Sequence, residues 1–282
     1  GGTNVAVFQN GVMLGRGLES GTGSWGRGSN GIVAAGVDHF FFSIVQGGGY
    51  GGVAQGQAQQ EVKLYTYDGK PAAFPGGIQY DKSCLEMVTS ADCGDKPVVG
   101  LAVIGDELFV ADTYTKSIKV YQLPLAGQKV KRSWPVTRLG RIDADQAGCI
   151  WMLQPKDASG PAKLVRYTAA GVIQPQQIVI PDTVQTSDFC VDQVRNRILL
   201  TNSGVDQNIL IFSDIITTPK AAGTFGVTGG ILSGVAGQEG PLRFNNPTGV
   251  GVDKEGNIYV ACSGTGLEAY APSGSRLWAV QS

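Results

Sequence analysis

Short apolar runs recur along the chain in pairs, and each pair brackets a tight polar turn. The clearest pair is Val250-Gly251-Val252 and Ile258-Tyr259-Val260-Ala261, joined through Asp253 to Asn257. Residues Ile142 to Leu153 align with Val250 to Ala261 without a gap, with Asp145 to Gly148 in the turn. Phe189-Cys190-Val191-Asp192 and Ile198-Leu199-Leu200 repeat the pattern with one more turn residue. Gly100 to Asp112 repeats it with one fewer. A looser copy pairs Gly31 to Asp38 with His39 to Val45. An alternating segment follows each pair: Val62 to Tyr67, Ile118 to Tyr121, Leu164 to Tyr167, Ile209 to Phe212 and Leu267 to Tyr270. Period-two alternation between Gly- or Asp-bearing turns predicts strands. A fourth strand, such as Arg276 to Val280, closes the unit.

Four sequential antiparallel strands repeated along a chain predict an all-β fold, a β-propeller whose blades each shield the next from water. The expectation is a single domain over residues 1–282 with six four-stranded blades, one of them incomplete. Asn4 to Gly15 reads as a third and fourth strand without the first two. A longer parent chain or an insertion would supply the missing pair.

Leu108-Phe109-Val110-Ala111-Asp112-Thr113-Tyr114-Thr115-Lys116-Ser117-Ile118-Lys119-Val120-Tyr121 resembles the core motif of NHL repeats. Pro247 to Ala261 is similar to the motif's first half. Two positions depart from it: Thr115 stands where Asn is frequent, and Cys262 where Asp follows the second strand. The resemblance spans about five units. It implies a six-bladed disc of the NHL and gluconolactonase-like superfamily, serving mostly as a binding or scaffolding module.

Composition agrees with many short strands and turns. The 282 residues include 42 Gly and 13 Pro, and 16% are charged. A net charge of −1 argues against a broad nucleic-acid surface. The densest basic run, Lys129 to Arg132, reads as a solvated turn or outer strand. No apolar stretch is long enough for a membrane-spanning helix. The chain opens Gly1-Gly2-Thr3, so a signal peptide would have been removed or lie outside this sequence. None of the five cysteines forms a CxxC pair. Cys84 and Cys93 flank a short polar segment and are expected to close a small disulfide loop, which implies an oxidising, extracytoplasmic compartment. Cys149, Cys190 and Cys262 sit in apolar runs and read as small buried hydrophobes.

Catalytic chemistry finds little purchase. Histidine-bound zinc, as in the amidating lyases that share this architecture, needs several histidines, and the chain has only His39. Lactonase-like propellers hold Ca²⁺ on Glu, Asn and Asp oxygens near the axis. Candidate oxygens here are Asp112, Asn202, Asp206 and Asn246, although Asp112 and Asn202 also suit turn capping. The glycine run Gly47 to Gly52 lacks the Lys-Ser/Thr and helix of a phosphate loop. Insertions at 46–61, 79–96 and 213–244 read as loops able to carry recognition, with Tyr50, Gln55 and Tyr114 as candidate binding residues. No cofactor is assigned. The expected function is non-catalytic binding of a protein or polysaccharide partner. The alternatives are a calcium-dependent hydrolase or lyase and a structural component of a filament or coat.

Overall fold

In a computed structural model, residues 6–16, 27–49, 52–79, 81–263 and 266–280 are described. They form five four-stranded antiparallel sheets, each with its strands in sequential order, together with a two-stranded hairpin. The hairpin pairs β1 (Ala6–Gln9) with β2 (Val12–Arg16). Asn10 and Gly11 both take positive φ at its tip, 51° and 76°, the backbone that a two-residue Asn-Gly turn supplies. The first blade comprises β3 (Arg27–Ala35), β4 (His39–Gly47), β5 (Ala58–Thr66) and β6 (Cys84–Ser90). The second comprises β7 (Val98–Ile104), β8 (Glu107–Asp112), β9 (Ser117–Gln122) and β10 (Arg132–Pro135). The third comprises β11 (Ile142–Ala144), β12 (Cys149–Gln154), β13 (Lys163–Thr168) and β14 (Ile173–Val179). The fourth is β15 (Phe189–Asp192), β16 (Arg197–Asn202), β17 (Asn208–Ser213) and β18 (Lys220–Phe225). The fifth is β19 (Pro247–Val252), β20 (Ile258–Cys262), β21 (Gly266–Tyr270) and β22 (Arg276–Val280).

The fold is therefore a β-propeller of four-stranded antiparallel blades, with five such blades among the described residues where six were expected. What reads as part of a sixth is the β1–β2 hairpin. Among the described residues no helix is long and apolar enough to cross a membrane.

The chain divides into two compact units, residues 1–142 and 143–282. In the first, Phe41, Val62, Leu64 and Leu85 of the first blade pack with Leu101, Leu108, Val110 and Tyr121 of the second. In the second unit, three consecutive buried residues of β16 serve two cores. Ile198 and Leu200 join Trp151 and Leu164 of the third blade, while Leu199 joins Val250, Val260 and Tyr270 of the fifth. Successive strand side chains point to opposite faces, so a sheet covered on both sides needs a continuous apolar run. That is why β8, β12 and β16 carry unbroken buried apolar runs, Leu108 to Ala111, Ile150 to Leu153 and Ile198 to Leu200.

Carboxylates reinforce this stacking. Asp143 of β11 accepts the Val191 N–H of the next blade at 2.7 Å, and Asp188, just before β15, accepts the Val250 N–H at 3.2 Å. Glycine serves the same end in the first unit. A Cβ at Gly100 would lie 2.8 Å from both the Gly140 carbonyl oxygen and the Ile142 nitrogen.

Two segments expected to be loops are strands. Gln46 and Gly47 end β4 and residues 58–61 begin β5, so both ends of the 46–61 insertion extend a hairpin. The polar segment between Cys84 and Cys93 is β6, the outer strand of the first blade. This removes the expected disulfide: both cysteines are free and buried. β6 carries the chain about 20 Å from Cys84 to Ser90 at 3.3 Å per residue, and the Cys93 thiol sits at that far end, 3.6 Å from the Ser90 carbonyl, whereas a bridge tolerates only roughly 7 Å between Cα atoms. The Cys93 thiol instead donates to the Ala58 carbonyl at 2.9 Å and the Cys84 thiol to Glu61 at 3.3 Å. The inference of an oxidising compartment loses the support it drew from this pair.

Candidate functional site

The first unit contains a cavity of about 600 Å³ between its two blades. Four chain segments build it. The β3–β4 turn supplies Gly36, Val37 and Asp38, followed by His39 and Phe41 of β4. Leu64 of β5 and the segment Ala72 to Pro75 form one wall. Val103 with the β7–β8 turn, Gly105 and Asp106, forms another, and Leu123 to Ala126 after β9 completes it.

Local hydrogen bonds fix these segments. The Gly36 N–H donates to the His39 carbonyl at 2.8 Å, and the Tyr67 hydroxyl donates to the Gly36 carbonyl at 2.6 Å. Ala72 N–H donates to Leu64 O at 3.0 Å, which lays the segment after β5 against its own strand. Leu123 N–H donates to Asp106 O at 2.7 Å, and the Gln122 amide donates to the Asp106 carboxylate at 2.6 Å. The walls thus hang from the sheet ladders of both blades.

The interior is apolar: Phe41, Leu64, Phe74 and Leu125 are buried at its base. Val37 stands 86% exposed beside it. Polar groups lie at the rim, where Asp38 and Asp106 are exposed and His39 is half-buried. Burial and the Asp38 charge push the Tyr67 phenol up from its ordinary range. An apolar cavity of this size with a few rim polar groups is the usual form of a ligand site. No Ser, Thr, Cys, Lys or Arg is among the lining residues, so the cavity offers binding surface and a single imidazole but no activated nucleophile.

The residues singled out from sequence lie elsewhere. Tyr50 falls outside the described residues. Gln55 is exposed in the β4–β5 connection, and Tyr114 is half-buried with the Lys96 ammonium 5.2 Å from its ring centroid. Neither lines the cavity. Asp112 is buried and engaged: its carboxylate accepts the Tyr114 N–H at 2.9 Å and the Thr115 hydroxyl at 2.8 Å, and pairs with Lys119 at 2.8 Å. Asn202 accepts the Gly204 N–H at 3.0 Å and donates to Asn208 at 3.2 Å. Asp206 and Asn246 are exposed. Among the described residues no group of three or more His, Cys, Asp or Glu side chains is arranged to hold a metal ion.

Sequence reasoning missed a buried polar network in the first blade. Glu61 and Lys63, both fully buried, lie 3.8 Å apart. Gln79 donates to Glu61 at 2.8 Å and to Gln59 at 3.1 Å. Burial and Glu61 push the Cys84 thiol well up, which makes it inert. The signal was present in Gln59-Gln60-Glu61-Val62-Lys63, where alternate polar residues occupy one face of a covered strand. It missed Asp143 as well. Burial raises that carboxyl to about 6, against the pull of the Val191 and Ala144 amides.

The NHL repeat model matches residues 244–268, which span most of the fifth blade's first three strands. No curated protein sequence matches the chain significantly. Among solved structures, a gluconolactonase from Xanthomonas campestris is similar with a TM-score of 0.50 and 13% identity, over 80% of this chain and 72% of that one. Virginiamycin B lyase from Staphylococcus aureus gives 0.45 and 12%, over 67% of this chain. The chain spans 56% of that lyase's length. A Bacteroides caccae protein of unknown function gives 0.45 and 9%, over 87% and 74%. At these identities the likeness concerns the fold.

Proposed function

We propose that this NHL-type propeller is a non-catalytic binding module that recognises a protein partner by seating an apolar side chain in the cavity between its first two blades. The observation that carries the reading is the cavity itself: about 600 Å³, apolar within and polar only at its rim. A polysaccharide fits it less well, because sugar hydroxyls taken into an apolar interior lose their hydrogen bonds to water without replacement. A calcium-dependent hydrolase draws no support from Asp112 or Asn202, whose side-chain oxygens already serve turns.

Selecting peptides from a displayed random library against the protein tests the reading. Ala126 is exposed and lines the cavity, so Ala126→Trp fills it at little cost to folding. Enriched peptides should share an apolar anchor and bind the Ala126→Trp variant at least tenfold more weakly. Peptides that bind both proteins equally, or enrichment without a common apolar residue, would refute it.

A further inference from the structure

The charges around the cavity are uneven, and this assigns the partner's chemistry. Cations near the β7–β8 turn are already matched. Glu107 is held by Arg132 at 2.5 Å and Lys131 at 2.8 Å. Lys70, beyond the end of β5, pairs with Asp68 at 2.6 Å. The carboxylate of Asp106, next to Glu107, accepts from the neutral Gln122 amide at 2.6 Å, and its carbonyl accepts from the same amide and the Leu123 N–H. Neither Asp38 nor Asp106 has a cationic partner among the described residues. No Lys or Arg lines the cavity. The Lys131 ammonium reaches Asp106 only through Gln122, whose side-chain oxygen it holds at 2.5 Å, so two carboxylates from different blades flank an apolar chamber without a direct ion pair among the described residues.

Resting on the binding-module reading, we infer that the partner segment is basic: the apolar side chain that enters the cavity is adjacent to a lysine or arginine whose cation meets Asp38 and Asp106 at the rim. Exposed pairs of this kind are worth up to about 1 kcal/mol each, which converts to a preference of several-fold to about tenfold. They are screened by salt, because the Debye length falls from about 10 Å at 0.1 M to about 3 Å at 1 M.

The chain's single histidine lies in the cavity wall, so its imidazole NMR signals report occupancy without assignment variants. Titrating N-acetylated dipeptide amides tests the inference: lysyl-tryptophan, glutaminyl-tryptophan and glutamyl-tryptophan share one indole and differ in the neighbouring charge. We expect all three to shift the His39 signals. The lysyl form should bind at least fivefold more tightly than the glutaminyl form, and the glutamyl form most weakly. That order should collapse in 1 M salt and in the Asp38→Asn/Asp106→Asn variant. Equal affinities for the three would overturn the charge inference and leave apolar anchoring intact. No shift with any of them up to millimolar concentration would overturn both.

Discussion

Asp143 shows how one residue ties the repeat to the fold. Its carboxylate accepts the Val191 and Ala144 amides at 2.7 and 2.8 Å, yet burial and the nearby Asp188 and Asp145 charges raise it to about 6. A carboxyl raised in the native state binds protons that the unfolded chain does not, so its contribution to stability grows as pH falls through 6 towards the ordinary range near 4. Urea titrations at pH 7 and pH 5 should show this gain in the wild type and its loss in Asp143→Asn. At pH 7 the variant should lie within about 1 kcal/mol of the wild type, exchanging a charged acceptor for a weaker neutral one. An unchanged pH dependence in the variant would assign the effect to other groups. Glu107 acts in the opposite direction: Arg132 and Lys131 lower it to about 2, so its contribution fades as pH falls below the ordinary glutamate range.

At the scale of elements, legibility followed burial. The inner strand pairs were readable because strands such as β8, β12 and β16 are buried on both faces, and because their turns need Asp and Gly. In the third blade Asp145 accepts the Ala147 and Cys149 amides while Gly148 takes φ 70°. Outer strands carry no such signal. β18, Lys-Ala-Ala-Gly-Thr-Phe in sequence, is almost wholly exposed and looks like a loop. β6 was hidden by its mixed polarity. The cavity was illegible because its walls span residues 36 to 126, and no local motif announces a site assembled from four segments. Glycines separate two kinds of constraint. Gly100→Ala meets backbone atoms at 2.8 Å and should cost several kcal/mol by chemical denaturation. Gly105→Ala opens onto free space at φ 56° and should cost about 1 kcal/mol through strain alone. Equal costs would show that the approach at Gly100 relaxes freely.

For the whole molecule, five free cysteines replace the expected bridge. Under denaturing, non-reducing conditions all five should react with an alkylating reagent. In the native protein the buried Cys84 and Cys93 should stay protected over hours. A mass two hydrogens lighter than the fully reduced chain would restore the disulfide. The net charge of −1 leaves no long-range field to draw in a basic partner, so attraction must come from the rim of the first unit. Salt should therefore change affinity through a few local charges and not through many. Hydrogen exchange with and without a library-selected peptide tests anchoring in the cavity most directly. Slowed exchange is predicted at residues 36–41, 72–75 and 123–126. Protection confined to the β4–β5 connection around Gln55, or protection nowhere, would contradict it.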